Sequence, residues 1–261
     1  MLDIHSYIRY TIKSKFFKLC NQYGYQFGGT AVKKKNIICF ISILLNIFFI
    51  FSGIFTIYKN HRIQVFQREN TNKNFIKNAY YLAKQSQFET LNINGRDIVF
   101  LGDSLTNRSQ WGELFNNPNI KNRGIDGDTT SGILNRLNTI TRGHPQKIFL
   151  MIGINDLLHK QDTAYILSNY KKILNKIRTD SPDTIIYIES ILPNNNIKSN
   201  KDVRFLNNEL QKLSSNKIIY IDLFDRFVKY DKLSGEYTYD GTHLNGLGYL
   251  IWKHEINKYV D

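Results

Sequence analysis

A serine at the end of a buried strand becomes a nucleophile when a base stands beside it, and Ser104 has the first half of that setting. Residues Ile98-Val99-Phe100-Leu101 read as a short apolar strand that stops at Gly102-Asp103-Ser104. A glycine-sharpened turn there projects the hydroxyl from the sheet edge, where an imidazole can take its proton. The same residue types also build ordinary turns, so other residues must decide between the two readings.

The base and its orienter come from Tyr239-Asp240-Gly241-Thr242-His243. At a spacing of three, the Asp240 carboxylate can reach back to one imidazole nitrogen while the other faces Ser104, a Ser-His-Asp arrangement defined by geometry and not by chain order. An isolated Asp-x-x-His can equally be a helix cap beside a surface histidine. An acyl-transfer site also needs donors for the oxyanion. Gly127 offers a backbone N–H where a side chain would obstruct approach, Asn155 offers its amide, and Ser104 offers its own N–H. The other histidines are poorer bases: His5 and His61 flank an apolar segment, His144 precedes Pro145 at the wrong end of a strand, and His254 lies in the last helical segment. His159 follows the Asn155 cluster, with Asp156 and Asp162 as its nearest carboxylates.

The elements that must position these residues alternate in type. Strand-length apolar runs occur at 98–101, 147–152, 184–188 and 217–221, with a weaker one at 119–125. Helically spaced segments lie between and after them, at 131–140, 163–177, 203–213 and 247–260. Continuous apolar strands alternating with amphipathic helices predict a parallel sheet covered on both faces, an α/β protein in the form of a three-layer α/β/α sandwich. Ligands bind such sheets beyond the carboxyl ends of the strands. The Ser104, Gly127 and Asn155 clusters each follow a strand, and the Asp240–His243 cluster precedes the last helix, so all four converge on one rim.

In combination the four clusters resemble the SGNH hydrolases, also called GDSL esterases. Gly102-Asp103-Ser104-Leu105 is similar to the first family block and Asn122 to Thr130, with Gly127, to the second. Gly153-Ile154-Asn155-Asp156 is similar to the third and Asp240-Gly241-Thr242-His243 to the last. The resemblance covers residues 95–261 in block order. It implies a five-stranded parallel flavodoxin-like sheet and a serine esterase with no metal and no cofactor. It also implies an oxyanion hole from Ser104, Gly127 and Asn155. The stretch through Trp111-Gly112-Glu113-Leu114-Phe115 is most similar to a bacterial branch related to platelet-activating-factor acetylhydrolase catalytic subunits and carbohydrate acetylesterases. The expected reaction is hydrolysis of short acyl esters, O-acetyl above all, on a cell-surface glycan or lipid. The same residues would serve an O-acyltransferase or a lysophospholipase, and a non-catalytic glycan-binding protein is the rival from another class.

Outside that region the chain divides into a basic tail at 1–36, a charge-free stretch at 37–58, and a linker at 59–94 read as a helical stalk that packs on the domain. As a helix the charge-free stretch would rise about 33 Å, enough to cross a hydrocarbon core of about 30 Å. It is expected to be one transmembrane helix. The Lys33-Lys34-Lys35 cluster favours a cytoplasmic amino terminus and an extracytoplasmic catalytic domain, against a shallower set of basic residues after the helix. The tail itself reads equally as an interfacial amphipathic helix or as a disordered segment. Of the 35 basic residues, seven fall before residue 37 with Asp3 as the lone acid, so much of the +13 charge sits in the tail. No basic run interleaved with aromatics follows it, which argues against a nucleic-acid partner. The two cysteines, Cys20 and Cys39, provide neither a disulfide framework nor a cysteine-rich metal site.

Overall fold

The computed structural model describes residues 43, 47–63, 78–196 and 200–260. Residues Met1–Arg62 and Ile63–Asp261 form two separate units.

In the larger unit the apolar runs become β1 (Ile98–Gly102), β2 (Ile120–Gly124), β3 (Lys147–Met151), β4 (Ile185–Glu189) and β5 (Ile218–Ile221). They form one sheet in the order β2-β1-β3-β4-β5, with every pairing parallel. The order reverses direction between β1 and β3, and at such a switch point a crevice opens beyond the strand ends. Ser104 follows β1 and Asn155 follows β3.

Side chains alternate across the sheet and make two cores. On one face Val99, Leu101, Ile148, Leu150, Ile186 and Ile188 pack with apolar residues of the helices Thr130–Arg136, Thr163–Asp180 and Lys201–Gln211. On the other face Phe100, Phe149 and Tyr187 are in register across β1, β3 and β4, and their rings stack 4.8 and 4.6 Å apart. Trp111 stacks on Phe100 at 4.4 Å, and Trp252 of the helix Gly246–Val260 meets Trp111 edge-on at 5.0 Å. This aromatic wall seats the last helix, and with it the loop that precedes it.

The expected helix at 131–140 is two short ones, Thr130–Arg136 and Asn138–Thr141. The Thr139 hydroxyl donates to the Arg136 carbonyl at 2.7 Å, and the Ile140 N–H bonds Leu137 instead. A threonine side chain has taken the acceptor that would continue the helix. A small antiparallel pair, β6 (Val228–Lys229) with β7 (Lys232–Leu233), is too short to leave a periodic signal in the sequence.

Upstream, the helix Ala79–Thr90 buries Tyr81 and Phe88 against Ile125. The smaller unit is described at 43 and over 47–62, all helical, with Phe48, Phe49, Ile50, Ile54, Phe55 and Ile57 exposed. Among the described residues no helix is long and apolar enough to cross a membrane. Residues 37–42 and 44–46 of the expected transmembrane helix, and the tail at 1–36, lie outside the described residues.

Candidate active site

Asp103 caps the turn that carries Ser104, accepting the Leu105 N–H at 3.0 Å, and the turn closes as the helix Ser104–Asn107. Helix N-terminal N–H groups have no partner within the helix, so the Ser104 amide is of the kind that can face an anion.

His243 Nε2 lies 3.0 Å from Ser104 Oγ, and His243 Nδ1 lies 2.7 Å from Asp240 Oδ2. The other Asp240 oxygen accepts the backbone N–H of His243 at 2.7 Å and of Thr242 at 2.9 Å, and the Thr238 hydroxyl at 3.3 Å. The hydrogen bond from the His243 ring, then those from the backbone, hold the Asp240 carboxyl far below its usual range. An ionised Asp240 fixes the proton on Nδ1 and leaves Nε2 free to accept one from Ser104. The loop is itself clamped: the Asn195 N–H donates to the Gly241 carbonyl at 2.9 Å, and the Asn196 side chain donates to the Thr242 hydroxyl at 2.6 Å.

Gly127 stands third in a turn closed by a 3.1 Å hydrogen bond from the Asp128 N–H to the Ile125 carbonyl. Its φ of 77° is what the third position of a type II turn demands, and side chains there are strained. Asn155, in the first turn of the helix Ile154–Leu158, donates from Nδ2 to the Asp128 carbonyl at 2.9 Å. Asn155 thus touches the residue beside Gly127. On the other side of Gly127, Asp126 accepts Asn107 Nδ2 at 2.7 Å and both Nε and Nη2 of Arg108 at 3.0 and 2.9 Å. The nucleophile helix and the Gly127 turn are therefore tied together. Their backbones also meet closely: a Cβ at Gly124 would collide with the Asn107 backbone. Arg108, whose N–H bonds the Ser104 carbonyl, lines a surface pocket together with Leu114, Tyr249 and Leu250.

Beneath these loops lies a buried polar layer with no spacing signature in the sequence. Asp128 pairs with Arg136 at 2.8 Å, both wholly buried, and Arg136 also donates to the carbonyls of Gly102 and Arg123. Asp156 accepts the Thr130 N–H at 2.9 Å and hydroxyl at 2.7 Å, and Asn169 donates to that hydroxyl. The Asn122 amide bridges the carbonyls of Thr106, Asn107 and Ser109. Burial pushes Asp103 and Asp156 up to about 7 and Asp128 to about 6, the last restrained by Arg136. Arg136 stands 8 positions from Asp128 and Thr130 26 positions from Asp156, which is why periodicity could not reveal these pairs. Asn122 and Asp156 do stand inside the motif blocks, and that was the available signal. His159, considered above as a base, is held below its usual value by burial, and the structure brings His243 to Ser104 instead.

A family model described as the GDSL-like Lipase/Acylhydrolase family matches residues 100–251. The chain is similar to human Platelet-activating factor acetylhydrolase IB subunit alpha2, at 31% identity over 166 residues, covering 59% of this chain and 71% of the relative. Among solved structures, one described as a platelet activating factor from Streptococcus pneumonia is 28% identical with a TM-score of 0.65. It covers 77% of this chain and 99% of that one. The fold also matches a GDSL-like lipase from Bacteroides thetaiotaomicron at TM-score 0.61 and 21% identity, over 69% of this chain and 96% of that one.

Proposed function

The chain belongs to the GDSL-like lipase/acylhydrolase family and is a serine ester hydrolase, and on that premise we propose that Ser104, His243 and Asp240 are its catalytic triad. The observation that carries this reading is the continuous path from Ser104 Oγ to His243 Nε2 at 3.0 Å and from His243 Nδ1 to Asp240 at 2.7 Å.

In the proposed reaction Ser104 Oγ attacks the ester carbonyl carbon while its proton passes to His243 Nε2. The oxyanion that forms is held by the N–H groups of Ser104 and Gly127 and by Asn155 Nδ2. Collapse breaks the bond to the alcohol, which leaves with the proton from His243, and the acyl group stays on Ser104. Water then attacks the acyl-enzyme, His243 takes its proton and returns it to Ser104 Oγ, and the carboxylic acid departs.

The substrate we propose is a short acyl ester, O-acetyl above all, on a cell-surface glycan or lipid. The name of the human relative, an acetylhydrolase, supports the acetyl part. We further propose that residues 95–261 are the catalytic domain, 59–94 its linker, and 37–58 a transmembrane helix that keeps the domain outside the cytoplasm. The charge-free sequence at 37–58, the exposed apolar side chains over 47–63, and the Lys33-Lys34-Lys35 cluster support that organisation.

The full-length protein should hydrolyse p-nitrophenyl acetate, and Ser104→Ala should reduce turnover to background. An alanine variant that keeps the wild-type rate would rule out the triad.

A further inference from the structure

The helix Ala79–Thr90 lies outside the family-matched segment, yet its side chains reach both anchors of the Gly127 turn. Tyr80 Oη accepts Asn107 Nδ2 at 3.0 Å, the same amide that donates to Asp126. Tyr81, wholly buried, donates from Oη to the Gly132 carbonyl at 2.8 Å and accepts Asn135 Nδ2 at 3.3 Å. Phe88 presents its ring to Arg123 at 5.0 Å and to Arg136 at 5.7 Å, and Arg136 is the partner of Asp128. Among the described residues, buried Arg123 Nε and Arg136 Nη1 have no hydrogen-bond partner. The π face of Phe88 adds a cation–π contact to the hydrogen bonds and ion pair that the other nitrogens of these two guanidinium groups make. Tyr81 and Phe88 also enclose Ile125, the first residue of the turn.

Residues 125, 126 and 128 of the turn are thus each held, directly or through one side chain, by a helix that precedes the domain. From this arrangement we infer that Ala79–Thr90 is a positioning element of the active site: Tyr80, Tyr81 and Phe88 fix the turn that presents the Gly127 N–H to the oxyanion. The inference deepens the esterase reading and rests on it. A preorganised donor contributes only when it points at the oxyanion before reaction, and displacements of about 1 Å can cost on the order of 10²-fold in rate.

The test uses the full-length chain carrying Tyr81→Phe or Phe88→Leu, both of which keep an apolar side chain in place, with the exposed Ser86→Ala on the same helix as control. With p-nitrophenyl acetate, kcat should fall about tenfold or more in the first two variants. KM should stay within about twofold, and fluorophosphonate labelling of Ser104 should slow by the same factor as kcat. Ser86→Ala should match wild type. If an active wild type is accompanied by Tyr81→Phe and Phe88→Leu variants that keep kcat, or lose activity only through KM, the helix is packing alone and the inference is overturned. A wild-type protein with no esterase activity would instead overturn the parent reading, and this inference with it.

Discussion

At the scale of single residues, the site separates groups that must carry charge from groups that burial holds neutral. Asp240 is half exposed and ringed by donors, so it stays ionised and orients His243. Glu189 is the opposite case: it is buried at the end of β4, accepts Trp252 Nε1 at 2.6 Å, and burial raises it from 4.5 to about 8. The folded state therefore holds a proton on Glu189 that the unfolded chain releases above about 4.5, and stability should decline as pH rises from there toward 8. Asp103, Asp128 and Asp156 act in the same direction. Glu189→Gln keeps an acceptor for Trp252 and should flatten the fall of Tm between pH 5 and pH 8; an unchanged slope would show that Glu189 does not titrate in that window. For catalysis, Asn155→Ala should lower kcat about 10²- to 10³-fold with little change in KM, measured by steady-state kinetics. A change confined to KM would make Asn155 a ground-state contact. Ser104, Asp240 and His243 were legible because each stands in a short block with a chemical reason for its spacing. The partners of Asp128 and Asp156 were not, because burial creates their roles and a sequence does not display burial.

At the scale of elements, the sheet does most of the positioning. Strand identity was readable from apolar runs, and β2 emerged from its weak pattern because Ile120, Arg123 and Gly124 are buried at an edge where the short helices Ser104–Asn107 and Trp111–Leu114 pack. The break at Leu137 was not readable, since it depends on which donor wins the Arg136 carbonyl. The Gly127 turn is where backbone conformation and chemistry coincide. Gly127→Ala places a Cβ at φ 77°, at a cost of roughly 1–2 kcal/mol, and should lower Tm by a few degrees while reducing kcat more than stability alone explains. Thermal melts alongside turnover would separate the two effects, and full activity in the alanine variant would remove the Gly127 amide from the oxyanion hole.

At the scale of the whole molecule, the catalytic unit and residues Met1–Arg62 pose separate questions. Exposed Phe48, Phe49, Phe55 and Ile57 are unfavourable in water, and a bilayer would remove that cost. Full-length protein should therefore stay with membranes through an alkaline carbonate wash; release into the supernatant would contradict the transmembrane reading and leave the catalytic one intact. The catalytic account stands on the nucleophile. The most direct test is to treat the full-length protein with a fluorophosphonate and map the adduct by peptide mass spectrometry. The account predicts a single adduct on Ser104, with labelling much slower in His243→Ala. An active enzyme that labels on another residue, or does not label at all, would contradict it.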